Sequence, residues 1–271
     1  MQSMWRTLAL LFGTVLFAVI VCVIVATVTV GESLIGNCRA LSVVQLDAPL
    51  LAFDARDAIE YCVAAKAMYC TGGSSVSSWV PPLWSVVQLP NRRGFVMRGW
   101  VNAKRVAIVS FRGTQNICDV FADFHSVLVP QQYAGEQVHA GFAASYARVR
   151  DAVRALTHDA DEVRVTGYSL GGAVATLAAS DLAATMPSVK LIAVGTPKVG
   201  NAAFRDGFKQ RVMHARIIFI SGDPVATVPI GLFGRFVHVA EPEVIPDSDC
   251  GNWQCNHSLT RYQALSTMIK C

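Results

Sequence analysis

The stretch "RVTGYSLGGA", residues 164–173, places a serine between two glycines, one two positions before it and one two positions after it. The residues before Ser169 form an apolar run typical of a buried strand, and those after it have helical periodicity. A sharp turn between a strand and a helix holds such a serine in a strained conformation with its hydroxyl exposed, and the glycines leave room for the turn. The pattern therefore predicts a nucleophilic serine at position 169.

The surrounding chain predicts the parallel sheet that such a turn requires. Compact apolar runs alternate with longer stretches of helical periodicity, which indicates parallel strands joined by helices and buried on both faces. We therefore expect an α/β fold with a mostly parallel sheet. The predicted strands are 105–111, 162–167, 190–195 and 215–221, and the predicted helices between them are 141–156, 170–186 and 201–209.

Two further elements are predicted ahead of these strands. Apolar residues recur at helical spacing within residues 47–70, which indicates an amphipathic helix. The short runs 84–89 and 95–101 are rich in β-branched and aromatic residues and are separated by Pro90, Asn91 and Gly94, so we expect a hairpin.

Length and charge narrow the class of protein. A chain of 271 residues is long enough for one large domain. Its net charge of +4 comes from basic residues spread along the sequence, so we expect no nucleic-acid partner.

The sequence has no Cys-x-x-Cys pair and no Cys and His set at zinc spacing, so we expect neither a metal nor a cofactor. Nothing in the sequence indicates the oligomeric state.

The N-terminus predicts a membrane segment. The run from Leu8 to Val30 has no charged residue, and at about 1.5 Å per residue it can cross a hydrocarbon core of about 30 Å. It is either an uncleaved signal anchor, which its length favours, or a signal peptide that is removed. Arg6 favours an N-terminus in the cytosol. We expect residues 1–30 to be the anchor or signal peptide and residues 31–271 to form a lumenal, extracellular or secreted domain.

The cysteines suit the secretory pathway. Of eight cysteines, Cys22 lies in the membrane run, which leaves seven. Disulfides are the expected use in this compartment, and an odd number leaves at least one thiol free or intermolecular. Cys62 and Cys70 would be about 12 Å apart on one continuous helix. They can therefore pair only if the helix ends between them.

The serine needs two partners. Its hydroxyl requires a general base, and the base requires an orienting carboxylate. With a turn of this kind the chain order is serine, then Asp or Glu, then histidine. Asp223 follows the predicted strand 215–221, although Gly-Asp-Pro is also ordinary turn chemistry. Of the two later histidines, His238 lies in the alternating run "RFVHVA", typical of a strand. His257 lies in a loop before the last helix, and we prefer it as the base.

Several blocks of the chain occur in one order: "VSFRGT" (109–114), "VHAGF" (138–142), "VTGYSLGGA" (165–173), "GTPKVGN" (195–201), "SGDPVATVP" (221–229) and "NHSLTRY" (256–262). Each block is weak alone, but together, from about residue 55 onward, they resemble the class 3 lipases, the fungal triacylglycerol lipase-like branch of the α/β hydrolases. The resemblance implies an α/β-hydrolase fold. It also implies Ser169 as nucleophile, Asp223 as acid and His257 as base.

The resemblance implies roles for residues around the serine as well. Thr114 would supply one oxyanion-hole donor, and the N–H of Leu170 would supply the other. The segment after the strand 105–111 is a lid in the family, and here it would carry an apolar helix face able to contact lipid. A helix packed against the core is the alternative. The residues of the predicted face are Ile117, Val120, Phe121 and Phe124.

Two positions depart from the family pattern. Tyr168 stands where a histidine is common before the nucleophile, and Lys198 stands where an arginine is common. Neither position belongs to the proton-transfer chain, so the expected activity is unaffected.

The resemblance also bears on the cysteines. In similar lipases a disulfide joins the two ends of the domain, which points to Cys38 and Cys271 here. We further expect Cys250 to pair with Cys255, which would brace the loop before the predicted base. Cys118, in the predicted lid, is the expected free thiol.

The leading hypothesis is a serine hydrolase that cleaves carboxylic esters of lipids through an acyl-enzyme, at a membrane or lipid interface. Feruloyl esterases and phospholipases A1 use the same machinery and remain alternatives. A catalytically silent, membrane-tethered binding module is an alternative of another class. The presence of the complete ordered set Ser169, Asp223, His257 and Thr114 weighs against it.

Overall fold

The computed structural model describes residues 53–70, 80–81, 83–114, 128–131, 135–229 and 235–266. The strands in these ranges are β1 (Ser85–Gln88), β2 (Gly94–Val101), β3 (Lys104–Phe111), β4 (Leu128–Pro130), β5 (Gln137–His139), β6 (Glu162–Tyr168), β7 (Val189–Val194), β8 (His214–Ile220) and β9 (Pro242–Ile245). The helices are α1 (Ala55–Cys70), α2 (Ala140–Ala147), α3 (Arg150–Thr157), α4 (Leu170–Leu182), α5 (Ala202–Arg211), α6 (Trp253–Asn256) and α7 (Leu259–Leu265).

The central sheet has the order β1-β2-β3-β6-β7-β8-β9. The first three strands pair antiparallel with one another as a meander. From β3 to β9 every pairing is parallel. The carboxyl ends of these parallel strands therefore meet along one side of the sheet, which we call the carboxyl edge. The arrangement fits the α/β-hydrolase fold.

Alternate residues of the strands pack into two separate hydrophobic cores, one on each face of the sheet. In β3, Ala107 and Val109 face the core shared with α2, α3, α4 and α5, whereas Val106 and Ile108 face the core shared with α1 and α7. Residues 191–194 of β7 alternate in the same way. Each strand is thus apolar on both faces, which is why these strands read as continuous apolar runs in the sequence.

Helix α1 begins at a reciprocal cap and continues without a break. Asp54 Oδ1 accepts the N–H of Asp57 at 2.9 Å, and Asp57 Oδ2 accepts the N–H of Asp54 at 3.2 Å. Burial, together with the charge of Asp54, raises the pKa of Asp57 to about 6. Because the helix runs from Ala55 to Cys70, the condition for a bond between Cys62 and Cys70 is not met.

Cys62 is a buried free thiol. Its Sγ lies 3.6 Å from Thr166 Oγ1 on β6, and burial raises its pKa to about 12. The prediction of a disulfide at Cys62 is therefore wrong, because the helix directs this thiol into the core, where it is free.

Other differences from the predictions are local. The predicted helix 141–156 is two helices, and the N–H of Val149 bonds to Tyr146 O at 2.9 Å in the turn between them. The run "RFVHVA" is not a strand, since it contributes only an isolated bridge from Val237 to Gly200. His238 in this run is half-buried, and its Nε2 lies 2.8 Å from Ala226 O.

Several predictions fall outside the described residues. They concern the run from Leu8 to Val30, the predicted lid face at Ile117, Val120, Phe121 and Phe124, and the cysteines Cys38, Cys118 and Cys271. Within the ranges that the structure describes, no helix combines the length and hydropathy needed to cross a bilayer.

A buried ion pair fixes α5 against the segment before β5. Arg211 donates to Glu136 through two hydrogen bonds of 2.7 and 2.9 Å, and Glu136 is 5% exposed. Arg211 also donates to Ser180 Oγ of α4 at 3.0 Å. Such a pair contributes little net stability, but loss of one partner leaves a buried charge uncompensated.

We therefore expect Arg211→Met to lower the free energy of unfolding by about 3–5 kcal/mol, and Glu136→Leu combined with Arg211→Met to recover most of it. Arg205→Met is the matched control on the same helix, because Arg205 pairs with Asp206 in solvent. It should leave stability almost unchanged. Urea denaturation measures all three variants. An Arg211→Met protein as stable as the Arg205→Met protein would contradict this account.

Candidate active site

The turn between β6 and α4 presents Ser169 in a strained conformation. Its φ of 58° and ψ of −127° lie outside the regions that residues with a side chain normally adopt. A Cβ at Gly167 would collide with the carbonyl of Gly171, and a Cβ at Gly171 would collide with the carbonyl of Phe111. The Ser169 N–H bonds to Val194 O at 2.9 Å. The glycines therefore allow a turn that β3 and β7 hold in place.

Three side chains that are distant in sequence meet at the carboxyl edge. His257 Nε2 lies 3.0 Å from Ser169 Oγ. His257 Nδ1 lies 2.9 and 2.8 Å from the two carboxylate oxygens of Asp223. All three residues are buried. The structure thus brings together the serine, histidine and aspartate that the sequence predicted, with the spacing that general-base activation of a hydroxyl requires.

The carboxylate of Asp223 is held by two donors besides the histidine. The N–H of Val225 donates to Oδ1 at 2.9 Å, and the hydroxyl of Tyr262 donates to Oδ2 at 2.6 Å. The Ile220 N–H donates to the Tyr262 hydroxyl at 3.0 Å. These bonds satisfy a carboxylate that is otherwise removed from water, and they fix its orientation toward the imidazole.

Tyr168 holds the imidazole from the other side. Its ring stacks on that of His257, with centroids 4.9 Å apart, and its hydroxyl donates to the His257 backbone carbonyl. Burial and the nearby Asp223 charge raise the phenol pKa of both Tyr168 and Tyr262 well above the usual value. Both phenols therefore remain protonated hydrogen-bond donors.

The residues predicted to form the oxyanion hole lie at the same edge. Leu170 is the first residue of α4, so its N–H has no acceptor within the helix. A Cβ at Gly113 would lie 2.8 Å from Tyr168 O and 3.3 Å from Ser169 Cβ. The segment after β3 therefore packs directly on the serine turn, and Thr114 follows as a half-buried residue.

The loop that carries His257 is braced by covalent and ionic contacts. Cys250 and Cys255 form a disulfide just before it, with Cα atoms 5.5 Å apart. Arg261 at the start of α7 donates to Asp247 at 2.7 and 2.5 Å and to Asp249 at 2.9 Å. Hydrogen bonds from Arg261 lower the pKa of Asp247 to about 2, so the carboxylate is charged at neutral pH.

Sequence reasoning did not assign roles to two tyrosines of the site. In the sequence, Tyr168 stands out only as a departure from the family pattern, and Tyr262 is only the last residue of the block "NHSLTRY". The sequence does carry a signal for Tyr262, because a polar aromatic residue follows the predicted base by five positions, in the predicted last helix. The stacking of Tyr168 depends on how α7 approaches β6, which no local pattern encodes.

Comparisons with known proteins show which family and which solved fold this chain resembles. The model of the family described as lipase (class 3) matches residues 108–233. A lipase of Rhizomucor miehei is 29% identical over 206 residues, 67% of this chain and 55% of that protein. The solved structure of its native propeptide complex superposes with a TM-score of 0.59 at 25% identity, covering 76% of this chain and 74% of that one.

Two other relatives carry more specific names. A secreted mono- and diacylglycerol lipase of Penicillium camembertii is 35% identical over 141 residues, 49% of this chain and 46% of that protein. A chloroplastic phospholipase A(1) of Arabidopsis thaliana is 32% identical over 152 residues, 46% of this chain and 34% of that protein. The chain thus spans about half or less of the length of these curated relatives. The segment 108–233 of this chain is similar to the class 3 lipase family.

Proposed function

We propose that this protein hydrolyses carboxylic esters of lipids, with Ser169 as nucleophile, His257 as general base and Asp223 as the orienting acid. One observation carries the proposal. The His257 imidazole lies 3.0 Å from Ser169 Oγ on one side and within 2.9 Å of both Asp223 oxygens on the other. A serine hydroxyl is activated by a base that a third group orients, and these contacts provide both the base and the orienting group.

The reaction begins when an ester carbonyl lies against the serine. His257 Nε2 accepts the hydroxyl proton as Ser169 Oγ bonds to the carbonyl carbon, and the ionised Asp223 stabilises the resulting imidazolium. The N–H groups of Thr114 and Leu170 donate hydrogen bonds to the carbonyl oxygen and stabilise the negative charge that develops there. His257 then donates its proton to the departing alcohol oxygen.

The second half of the reaction uses the same groups. Water gives a proton to His257 Nε2 and attacks the acyl-enzyme, and collapse of the second tetrahedral intermediate releases the carboxylic acid and restores the serine hydroxyl. Nothing in this sequence of steps calls for a metal or cofactor.

Lipid esters are favoured as substrates over aromatic ones. The names of the relatives are those of a lipase, a mono- and diacylglycerol lipase and a phospholipase A(1). The apolar residues predicted for the lid, at 117, 120, 121 and 124, are consistent with contact to a lipid surface. Because the run from Leu8 to Val30 is apolar, we propose that the domain lies outside the cytosol, either anchored or released.

The first test is covalent labelling at the serine. A fluorophosphonate probe should label the protein and should fail to label Ser169→Ala, whose ester hydrolysis should fall by at least about 10⁴-fold. Ser145→Ala on α2 is the control and should keep both labelling and activity. A folded wild-type protein that takes no label and cleaves no ester would instead support the silent binding module.

The second test separates the hydrogen bond between His257 and Asp223 from the one that Tyr262 donates to Asp223. Asp223→Asn should lower kcat by about 10⁴-fold, because the amide selects the wrong imidazole tautomer. Tyr262→Phe removes one donor to the carboxylate and leaves the Ile220 N–H without its acceptor, and it should cost about 10–100-fold. Steady-state kinetics on a short-chain ester measures both. Equal losses in the two variants would argue that Tyr262 is needed for folding rather than for orientation, and thermal unfolding of each variant checks this directly.

A further inference from the structure

Tyr168 connects the sheet to the loop that carries the proposed base. It is the last residue of β6 and pairs with Val194 of β7, so its backbone belongs to the sheet. His257 lies between α6 and α7, outside the sheet. Because Tyr168 directly precedes Ser169, its side chain can fix the position of that loop relative to the nucleophile.

Two glycines let the backbone approach both edges of the Tyr168 ring. A Cβ at Gly113 would lie 3.2 Å from Tyr168 Cδ1, and a Cβ at Gly195 would lie 3.3 Å from Cε2, on the opposite edge of the ring. Gly195 has a φ of +53°, which residues with a side chain rarely adopt. The ring is therefore confined between the segment after β3 and the segment after β7.

The face of this confined ring lies against the imidazole of His257. The two ring centroids are 4.9 Å apart and the ring planes differ by 24°. The ring of Tyr262 meets that of Tyr168 edge-on, with centroids 5.9 Å apart, and the Tyr262 hydroxyl donates to Asp223. The base and the acid of the proposed triad are thus each held by one of two tyrosines that pack on each other.

The hydroxyl of Tyr168 holds the same histidine at a second point. It donates to the backbone carbonyl of His257. It remains a donor at neutral pH, because burial and the charge of Asp223 raise the phenol pKa well above its usual value. With its ring against the imidazole and its hydroxyl on the carbonyl, Tyr168 leaves His257 little freedom to turn away from Ser169 Oγ.

The stacked ring also contacts the charge that the proposed reaction creates. A base must be neutral before it accepts a proton, and His257 becomes an imidazolium as each tetrahedral intermediate forms. The face of an aromatic ring attracts a cation that lies within about 6 Å of its centroid. Since the positive charge is absent before proton transfer, this attraction lowers the barrier of the reaction rather than the energy of the resting enzyme.

We propose that Tyr168 is a positioning residue that holds the His257 imidazole in reach of Ser169 Oγ and stabilises the imidazolium through its ring face. This inference rests on the proposed ester hydrolysis at Ser169. It gives a role to a position where the sequence departs from the family pattern. Tyr168 itself exchanges no proton in the reaction and acts only through the histidine.

Two variants of Tyr168 test this role with p-nitrophenyl butyrate as substrate. Tyr168→Phe keeps the ring and loses the hydroxyl, whereas Tyr168→Leu loses both. The kcat of each is divided by the fraction of protein that a fluorophosphonate labels at Ser169, measured by intact mass after complete reaction, so that unfolded protein does not count. We expect this kcat to fall by about 3–10-fold in Tyr168→Phe and by about 100-fold in Tyr168→Leu. KM should change by less than about 3-fold, because Tyr168 acts on the base rather than on the substrate.

Tyr146 on α2 supplies the matched controls. It is buried, and its hydroxyl donates to Asp181 Oδ2 at 2.7 Å. Asp181 lies near the end of α4, whereas Ser169 precedes the start of that helix. Tyr146→Phe and Tyr146→Leu therefore remove the same atoms from a buried tyrosine far from the reaction centre, and kcat per labelled serine should equal that of wild type.

The outcomes separate this inference from the proposed function. If kcat per labelled serine in Tyr168→Leu equals that in Tyr146→Leu, or if only KM changes, the positioning role is wrong while the hydrolase stands. If Tyr168→Leu does not fold, Tyr168→Phe decides alone, and a kcat equal to that of Tyr146→Phe overturns the role. If wild-type protein takes no label and cleaves no ester, both proposals fail.

Discussion

The hydrogen bond between His257 Nε2 and Ser169 Oγ joins positions 88 residues apart, and the rest of the site is arranged to make that bond possible. The serine can meet the imidazole only because its backbone adopts a strained φ of 58°. That strain is sustained by the surrounding structure, since the turn packs against β3 and bonds to β7. A turn that relaxed would move the hydroxyl away from its base.

The parallel sheet fixes the positions of most other residues of the site. The serine turn, the segment with Thr114 and the loop with Asp223 follow β6, β3 and β8, whose carboxyl ends meet at one edge. His257 is different, because it arrives on a loop outside the sheet. Its loop is fixed by the disulfide Cys250–Cys255, by the Arg261 ion pairs and by the stacking of Tyr168. Residues that look merely structural therefore set the position of the proposed base.

The sequence predicted the parts of this arrangement that depend on local pattern. Strands buried on both faces, such as β6 and β7, are continuous apolar runs, and the order of Ser169, Asp223 and His257 follows from the fold class. The sequence did not predict β9, because "PEVI" is short and carries a charge. It also did not predict the break at Val149, which divides one predicted helix into α2 and α3. The free state of Cys62 depends on α1 continuing unbroken to Cys70, and helical periodicity alone did not establish that. The contacts of Tyr168 and Tyr262 depend on tertiary packing alone.

The measurement that tests the central claim most directly is a crystal structure of the protein after reaction with an alkyl phosphonate, a mimic of the tetrahedral intermediate. The account predicts a bond from phosphorus to Ser169 Oγ, with His257 still hydrogen bonded to Asp223. It also predicts a phosphonyl oxygen at about 2.7–3.1 Å from the N–H groups of Leu170 and Thr114. A phosphonate attached to another residue, or an oxygen directed away from both N–H groups, would contradict it.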